Sequence, residues 1–447
     1  MSSCLLNWNI TNGCNLRCKH CAMANTYEKC DLDMKSNKLI LKRLIDEHII
    51  DTVVFSSLEP LKYDGIFELL RYCNFKGIAT GIITNGTLLT PEIITELEKA
   101  NLTYLAISIE GITPQSNDVV RGKYTFNSVM KAFKIINERF KKNKYRFLLS
   151  LEINIHKKNL SEIDDFIPFF NHMNFTVVNV GEISKIGRAK ENDELIIDEN
   201  DHELSINRLM FNYAKKRNGL YKLVVKSLMI YESIYYNVIY NISLLVTKPI
   251  CPVSNCSGVS LSYDGKISAC SFSGYDNHIC ASIKDIPNGF IKEKVYQLNK
   301  ETQKMLIRSD TVSSDCNDCK YKGHCTICPI AYNEDLYIEL INRCNKYKTK
   351  LVNLAYEIYN NNMPFYIIDG VYLYKNPYAS NVISYINQDG SIISEIIPDE
   401  LSQIIEYWFR KDIIYSNDNN GYLNAQDALI FLVINGFITI YGGNRNE

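Results

Sequence analysis

Three cysteines with an uncommon spacing lie close to the start of the chain. Cys14, Cys18 and Cys21 follow a short apolar run, and about 0.02 matches to this spacing are expected by chance in a chain of this cysteine content. Three thiolates on one loop can bind three irons of a cubane iron–sulfur cluster and leave the fourth iron without a protein ligand. The alternative is a zinc ion, for which His20 would be the fourth ligand. The spacing therefore predicts a metal centre, and an iron with an open position would be able to bind a reactant.

A second group of cysteines lies in the C-terminal half of the chain. Its members are Cys251, Cys256, Cys270, Cys316, Cys319, Cys325, Cys328 and Cys344. Eight thiols are enough to ligate two further iron–sulfur clusters, although the C-x2-C pairs suit zinc equally well. A hairpin turn at Asp264-Gly265 would bring Cys270 back towards the first pair. The cysteines interpreted as ordinary thiols are Cys4, Cys30, Cys73 and Cys280.

Alternating strands and helices precede the second cysteine group and would position the first. The predicted strands are 5–11, 49–55, 78–83, 103–109, 145–155 and 175–182. The predicted helices are 36–47, 62–76, 91–100, 126–140 and 161–172. The near-continuous β-branched run at 49–55 is typical of a strand buried on both faces. The alternation predicts an α/β fold with a parallel sheet, as an open, partial (β/α)6 TIM-like barrel.

Polar side chains follow several of these strands at the point where each strand ends. They are Glu59-Pro60, Thr84-Asn85-Gly86, Ser108 with Glu110 and Arg121, and Gly187-Arg188-Ala189. The loops at the carboxyl ends of barrel strands meet at one face, where active sites lie. The Arg121 guanidinium suits a carboxylate ligand because it donates two parallel hydrogen bonds, although a surface ion pair is an equal alternative.

The cysteine spacing and these polar groups, in the same order, resemble the radical S-adenosylmethionine (SAM) superfamily. His20 occupies the aromatic position before the last cysteine of the motif. Ser57 and Leu58 replace both glycines of the family's Gly-Gly-Glu-Pro segment, so that only Glu59-Pro60 matches it. The resemblance implies that SAM binds the open iron, with its amino group at Glu59. The residues implied to contact SAM are His20, Glu59, Thr84, Asn85, Ser108 and Arg121.

The second cysteine group resembles the SPASM extension of radical SAM enzymes. The order of its spacings matches that family, although its second C-x2-C pair has two intervening residues where the family usually has three. The resemblance implies two auxiliary 4Fe-4S clusters and three clusters in the whole chain. The ligands implied for the first auxiliary cluster are Cys251, Cys256, Cys270 and Cys328. The ligands implied for the second are Cys316, Cys319, Cys325 and Cys344.

The composition predicts a globular chain without a strong charge. A formal net charge of -1 leaves no basic stripe for nucleic acid or an anionic membrane surface. The chain opens without the basic and apolar regions of a secretion signal. Glu232, Asn237 and Asn241 interrupt the apolar stretch 227–246, which favours a bridging helix over a membrane span. We therefore expect a cytoplasmic protein, in which cysteines are better explained as metal ligands than as disulfides.

Three domains follow from these assignments. They are a radical SAM partial barrel at 1–225, a bridging helix with a SPASM domain at 226–349, and a small α+β domain at 350–447. The last domain carries hairpin signals at Asp369-Gly370 and Asp389-Gly390, and helices near Pro398 and at 425–435. Such a module would be winged-helix-like and grip a leader peptide by strand addition, or would be a structural appendage.

The resemblance also implies the chemistry. Reductive cleavage of SAM yields a 5'-deoxyadenosyl radical that abstracts a hydrogen atom from an unactivated C–H bond, with flavodoxin or ferredoxin as a reductant of the required kind. SPASM proteins most often modify ribosomal peptides, so the leading prediction is a peptide maturase that forms a carbon–carbon, carbon–oxygen or thioether crosslink in a precursor peptide. A cyclophane crosslink is one form of this. Candidate proton acceptors are Glu152, Glu182 and Asp276.

Four alternatives remain open from the sequence. They are a formylglycine-forming enzyme of the anaerobic sulfatase-maturase type, a peptide epimerase, a multi-cluster electron carrier and a zinc-stabilised binding module. Ser271 stands where sulfatase maturases have an aspartate after the cluster ligand, which argues against the first. An electron carrier has no need of Glu59, Asn85, Ser108 and Arg121.

Overall fold

The structure, a computed structural model, describes most of the chain in several segments. They are residues 4–23, 31–142, 147–218, 221–242, 253, 256–271, 279–306, 334–368, 371–375, 381–386, 392–419 and 421–440. The predicted features outside them are Cys30, Cys251, Cys316, Cys319, Cys325, Cys328, Asp276 and the turns at 369–370 and 389–390.

The chain divides into two compact units. The first comprises Met1–Leu209, Arg217–Ser227 and Pro249–Glu334, and the second Met210–Lys216, Leu228–Lys248 and Asp335–Glu447. The predicted boundaries after residues 225 and 349 do not coincide with this division. The three-domain organisation therefore stays a prediction.

A ten-stranded sheet forms the centre of the first unit. Its strands are β1 (Cys4–Trp8), β2 (Ile50–Phe55), β3 (Ala79–Thr84), β4 (Tyr104–Ile109), β5 (Leu148–Ile155), β6 (Val177–Glu182), β7 (Lys222–Val225), β8 (Val259–Leu261), β9 (Lys266–Ser268) and β10 (Cys280–Ser282). Strands β1 to β7 are parallel and adjacent in chain order, and β8 adds in parallel on the other side of β1. The predicted α/β fold with a parallel sheet is confirmed, and β7 extends the six predicted strands.

A short antiparallel ribbon extends the parallel sheet beyond β8. Strand β9 pairs antiparallel with both β8 and β10. The turn between β8 and β9 contains Gly265 at a φ of 83°, which is the left-handed conformation that favours glycine. The Asp264-Gly265 turn therefore lies where the sequence predicts a hairpin.

Helices alternate with the parallel strands. They are α1 (Met34–Asp46), α2 (Ile66–Phe75), α3 (Pro91–Lys99), α4 (Pro114–Arg121), α5 (Thr125–Lys142), α6 (Ile163–Asn171) and α7 (Glu199–Lys216). Helix α8 (Ile230–Tyr240) follows β7 in the chain, and α9 (Ile291–Leu306) follows the antiparallel ribbon. Helix α1 begins two residues before its predicted start, because the Asp33 carboxylate accepts the Ser36 amide at 2.7 Å and caps the helix. Phe133 of α5 and Phe166 of α6 are fully buried, as are Ile107 and Leu151 of the sheet.

The second unit combines helices with small antiparallel sheets. Its elements are α8, α10 (Glu334–Asn360), β11 (Tyr366–Ile367), β12 (Val371–Lys375), β13 (Asn381–Ile386), β14 (Ile392–Ile396), α11 (Asp399–Trp408), α12 (Ala425–Ile434) and β15 (Ile438–Thr439). Strands β12, β13 and β14 form one sheet, and β11 pairs with β15. The helices predicted near Pro398 and at 425–435 are present. No helix among the described residues is long and apolar enough to cross a membrane.

Arg43 of α1 ties this helix to the segment that follows β10. Its guanidinium donates to the carbonyl oxygens of Ile283 at 2.9 Å, Ile286 at 2.8 Å and Pro287 at 3.2 Å. Replacement by methionine should leave these acceptors without their charged donor and lower the free energy of unfolding by about 2 kcal/mol. Urea denaturation measures this loss.

The neighbouring Lys42 supplies a matched control. It forms a solvent-exposed ion pair with Asp46, and such pairs contribute little to stability. Lys42→Met should leave the denaturation midpoint nearly unchanged. Equal midpoints for the two variants would contradict the role of Arg43.

Candidate functional site

Cys14, Cys18 and Cys21 line one cavity at the carboxyl ends of the parallel strands. Its volume is about 350 Å³, within the range of small-molecule sites. The predicted SAM contacts that also line it are His20, Thr84, Asn85, Ser108 and Arg121. Tertiary structure thus brings together groups that are spread over more than a hundred residues of sequence.

The backbone of the cysteine loop is held by several of the surrounding loops. The Gly13 carbonyl accepts the Glu59 amide at 3.2 Å, and the Lys19 amide donates to the Val120 carbonyl at 2.8 Å. Arg188 donates from Nε to the Cys18 carbonyl at 2.8 Å. Its own amide donates to the Cys21 carbonyl at 3.1 Å. These contacts fix the loop that carries the thiols.

Asn85 connects the loop after β3 to the cysteine loop. Its Nδ2 donates to Asn15 Oδ1 at 2.9 Å, and its Oδ1 accepts the Thr87 amide at 2.9 Å. Asn15 in turn donates to Thr87 Oγ1 at 2.8 Å. Asn85 is therefore positioned from two sides while it lines the cavity.

Glu59 lies behind the cavity wall and is not among the lining residues. Its carboxylate accepts the Thr84 hydroxyl and the Asn85 amide, each at 2.8 Å, and the Leu61 amide at 3.2 Å. Burial raises the pKa of Glu59, and these hydrogen bonds partly offset the increase. In this structure Glu59 organises the loop after β3, and the predicted contact with a SAM amino group stays a prediction.

Ser57 and Leu58, which stand in place of two family glycines, both adopt left-handed backbone conformations. Their φ angles are 64° and 47°. For residues with a Cβ atom this conformation costs about 1–2 kcal/mol each. Both residues line the cavity. The turn at the edge of the cavity therefore has a backbone conformation that glycine would adopt more easily.

The thiols fit a cluster with three protein-ligated irons. Three separate thiols share one cavity, which is the donor set that such a cluster requires. Burial raises the pKa of Cys18 to about 11, although Arg121 partly offsets this, and burial also raises the pKa of Cys14. The metal must therefore displace protons from these thiols, which makes its binding dependent on pH.

His20, the fourth ligand that the zinc alternative needs, contacts a buried carboxylate through one ring nitrogen. Its Nε2 lies 3.2 Å from Glu110 Oε1. Among the described residues, no three His, Cys, Asp or Glu side chains are gathered closely enough to hold a single metal ion. The contact occupies one ring nitrogen of His20, so the zinc alternative stays open on this geometry.

Three predicted ligands of the auxiliary clusters fall within the described residues. The Sγ atom of Cys256 accepts a hydrogen bond from Gln303 Nε2 at 3.2 Å, and Cys256 has a φ of 59°. Cys270 follows β9, and Cys344 lies on α10. The other five predicted ligands lie outside the described residues, so both ligand sets stay predictions.

The candidate proton acceptors differ in their surroundings. Glu182 lines the cavity and contacts His202 Nδ1, whose side chain is buried. Glu152 instead contacts Lys226 and accepts from Asn179 Nδ2 at 2.7 Å, and it is not among the lining residues. Glu182 is therefore the one acidic side chain among the described residues that line the cavity.

Sequence reasoning did not single out Asn154 and His202. Asn154 lines the cavity near the end of β5. A polar residue at the carboxyl end of a predicted barrel strand is a signal that could have identified it as a site residue. His202 lies within α7, and its spacing gave no indication of a contact with Glu182.

Gly187 permits the close approach of its loop to the cysteine loop. It has a φ of 54°, and a Cβ atom there would lie 2.3 Å from the Cys21 carbonyl oxygen and 2.7 Å from the Ala22 Cα. Gly187→Ala should cost about 3 kcal/mol of unfolding free energy, because backbone atoms must move, and should reduce iron incorporation. Denaturation and iron analysis after anaerobic reconstitution measure both effects.

Gly77→Ala is the matched control for backbone strain alone. Gly77 has a φ of 74°, and a Cβ atom there meets nothing within 4 Å. This variant should lose only about 1 kcal/mol and keep its full iron content. Similar iron contents in both variants would show that Gly187 is not needed for the approach.

Comparison with known proteins identifies relatives of part of the chain. An AdoMet-dependent heme synthase of Methanosarcina barkeri is 30% identical over 195 residues, 43% of this chain and 54% of that protein. Mycofactocin maturase MftC of Mycolicibacterium smegmatis is 26% identical over 165 residues, 36% of this chain and 40% of that protein. The chain thus spans about half the length of the curated relatives it matches.

Solved structures show the same fold. SuiB of Streptococcus suis bound to S-adenosylmethionine has a TM-score of 0.54 and 16% identity, and the match covers 73% of each chain. SuiB bound to the precursor peptide SuiA has a TM-score of 0.53 and 18% identity, over 73% of this chain and 72% of that one. Residues 8–167 match the model of the Radical SAM superfamily. The chain therefore contains, at residues 8–167, a domain of the radical SAM superfamily of enzymes, as the cysteine motif predicts.

Proposed function

We propose that the chain is a peptide maturase that uses SAM to abstract hydrogen from a residue of a ribosomal precursor peptide and so forms a crosslink. One observation carries the proposal. The three motif thiols, the buried cation Arg121 and the carboxylate of Glu182 line the same cavity. The thiols of such a site can hold a metal cluster, and Arg121 can bind an anionic group beside it. Glu182 can accept a proton from a substrate carbon in the same cavity.

Two relatives support a peptide substrate. MftC is named as a mycofactocin maturase, and SuiB has been crystallised with its precursor peptide SuiA. MftC is matched over only part of its length, and SuiB shares only the fold. The peptide substrate is therefore proposed for this chain by analogy.

The residues of the cavity have distinct proposed roles. Cys14, Cys18 and Cys21 would hold the cluster, which together with SAM supplies a carbon-centred radical that abstracts hydrogen. Arg121 would bind the SAM carboxylate, since a guanidinium donates to both oxygens of a carboxylate. Asn85 and Ser108 would donate to the remaining polar groups of SAM.

Glu182 is the proposed proton acceptor. Loss of a proton from the substrate must accompany the formation of a new bond after hydrogen abstraction, and a carboxylate at the cavity wall can accept it. The contact with His202 Nδ1 holds the Glu182 carboxylate in place. The electron released at this step requires an iron–sulfur acceptor, which we assign to the predicted auxiliary clusters at 251–344.

The C-terminal residues 350–447 are the proposed grip for the leader segment of the peptide. The β12–β14 sheet lies in this region, and in the part of the chain that the structure describes β12 and β14 each pair with β13 alone. An edge strand of this kind can accept an extended peptide as an added strand.

We further propose action in the cytosol, with flavodoxin or ferredoxin as the reductant.

The residue at position 271 argues against the formylglycine alternative. Ser271 stands where the sulfatase maturases have an aspartate, and its hydroxyl lies 2.9 Å from the Ser260 hydroxyl. A serine has no carboxylate that could act as the proton acceptor. The heme synthase activity named for the Methanosarcina barkeri relative is the second candidate, favoured by 30% identity over 195 residues.

Anaerobic reconstitution with iron and sulfide tests the function. The reduced protein should cleave SAM to 5'-deoxyadenosine and modify a peptide encoded by a short reading frame beside its gene, with mass loss measured by mass spectrometry. Cys18→Ala should abolish cleavage, and Cys280→Ala, at a half-buried cysteine of β10, should retain it. Conversion of a porphyrin precursor to heme, without any peptide modification, would favour the second candidate instead.

Glu182→Gln tests the proton acceptor. The variant should still form 5'-deoxyadenosine, but crosslinked peptide should form about 100-fold more slowly, as expected on losing a general base. Glu152→Gln is the control, because Glu152 is not among the lining residues and should therefore be dispensable for the crosslink. Product formation by Glu182→Gln at the wild-type rate would exclude Glu182 as the base.

A further inference from the structure

Glu110 is a buried carboxylate at the centre of the polar groups around the cavity. It follows directly after β4, and its side chain is 1% exposed. Oε1 accepts from Arg121 Nη2 at 2.8 Å and lies 3.2 Å from His20 Nε2. Oε2 accepts from the Asn154 amide at 3.2 Å and from Asn154 Nδ2 at 3.1 Å. The carboxylate thus joins the cysteine loop, α4 and β5.

The backbone of Glu110 is anchored as firmly as its side chain. Its amide donates to Asn117 Oδ1 at 2.9 Å. Its carbonyl oxygen contacts His156 Nε2 at 2.5 Å and accepts from Asn159 Nδ2 at 3.2 Å. With both ends fixed, Glu110 can impose orientations on its neighbours rather than follow them.

The charge on Glu110 is stabilised by its neighbours. Burial alone would raise the pKa of this carboxyl, but His20 and Arg121 outweigh it and hold the pKa below its usual range. The Glu110 carboxylate likewise helps to keep Arg121 cationic, with a raised pKa despite burial. A charge-assisted pair of this kind is stronger than a neutral hydrogen bond.

Glu110 contacts one nitrogen atom of His20 and one of Arg121. The contact with the Glu110 carboxylate assigns a proton to His20 Nε2. The second ring nitrogen of His20 is Nδ1, and Arg121 has a further donor at Nε. Both atoms are buried, and neither has a hydrogen-bond partner among the described residues. Buried polar atoms without partners are rare, and a ligand bound beside them would satisfy both atoms.

We propose that Glu110 is a positioning residue of the SAM site: it turns His20 and Arg121 so that His20 Nδ1 and Arg121 Nε are directed at the cofactor. Both residues line the cavity, whereas Glu110 itself is not among the lining residues and acts through them. The inference rests on the proposed use of SAM by this chain. It predicts that the loss of the Glu110 charge weakens SAM binding without removing any group that touches SAM.

Glu110→Gln tests this inference in the reconstituted full-length protein. Equilibrium dialysis with radiolabelled SAM should show a Kd about 30-fold higher than for the wild type, as for the loss of hydrogen bonds to a charged group. Iron content and melting temperature are recorded for each variant. The electron paramagnetic resonance spectrum of the reduced protein should also respond to SAM only at correspondingly higher concentrations.

Glu162→Gln is the matched control. The Glu162 carboxylate also binds the loop after β4, where it accepts from the Ile112 amide at 3.0 Å and from Ser116 Oγ at 2.8 Å. It is not among the cavity-lining residues, so this variant should lose stability and keep the SAM Kd within about threefold of the wild type. Equal increases in Kd for both variants would reduce the role of Glu110 to general stability and overturn the inference.

A second variant keeps the inference testable if Glu110→Gln folds poorly. His20→Phe retains an aromatic ring and removes both nitrogen atoms, so it should weaken SAM binding by itself. Because Glu110 acts partly through His20, the two losses should not multiply in the double variant. Independent, multiplying losses would overturn the inference. If the wild-type protein binds no SAM, the proposed function itself is overturned. If the wild type binds SAM and Glu110→Gln has the same Kd, only the inference about Glu110 is overturned.

Discussion

Hydrogen bonds from the surrounding loops to the backbone of the cysteine loop are the restraint on which the candidate site depends. The loops after β2 and β6 contribute through the Glu59 amide and Arg188, and helix α4 contributes through the Val120 carbonyl. A loop that presents three thiols has no regular structure to satisfy its backbone polar groups, so neighbouring loops must do so. Since those loops meet only when the parallel sheet has formed, the geometry of the thiols is a consequence of the whole sheet.

Two buried glutamates show how one residue type serves opposite electrostatic roles. Glu59 receives hydrogen bonds from the Thr84 hydroxyl and from backbone amides, and burial raises its pKa. Glu110 receives its bonds partly from the Arg121 cation, and its pKa is lowered. Glu59 therefore shapes a turn, whereas Glu110 supplies a negative charge that orients its neighbours.

The turn after β2 shows that its conformation does not require glycine. Ser57 and Leu58 hold left-handed conformations, while the adjoining Glu59 is fixed by its bonds to the loop after β3. Strain of this kind persists only where the surrounding contacts determine the conformation. A turn built from Ser57 and Leu58 therefore carries a conformational cost that glycine would avoid.

The sequence by itself determined the parallel α/β alternation, the cysteine loop and the polar strand ends, because periodicity and short spacings are local properties of the chain. Glu59 illustrates the limit: its segment marked the correct strand end, but only the folded chain shows its carboxylate turned towards Thr84 and Asn85. The pairing of Glu182 with His202 and the junction of His20, Arg121 and Asn154 at Glu110 were decided by the tertiary structure alone. These contacts join residues from different strands and loops, and no local pattern encodes which side chains will share a buried partner once the sheet has assembled.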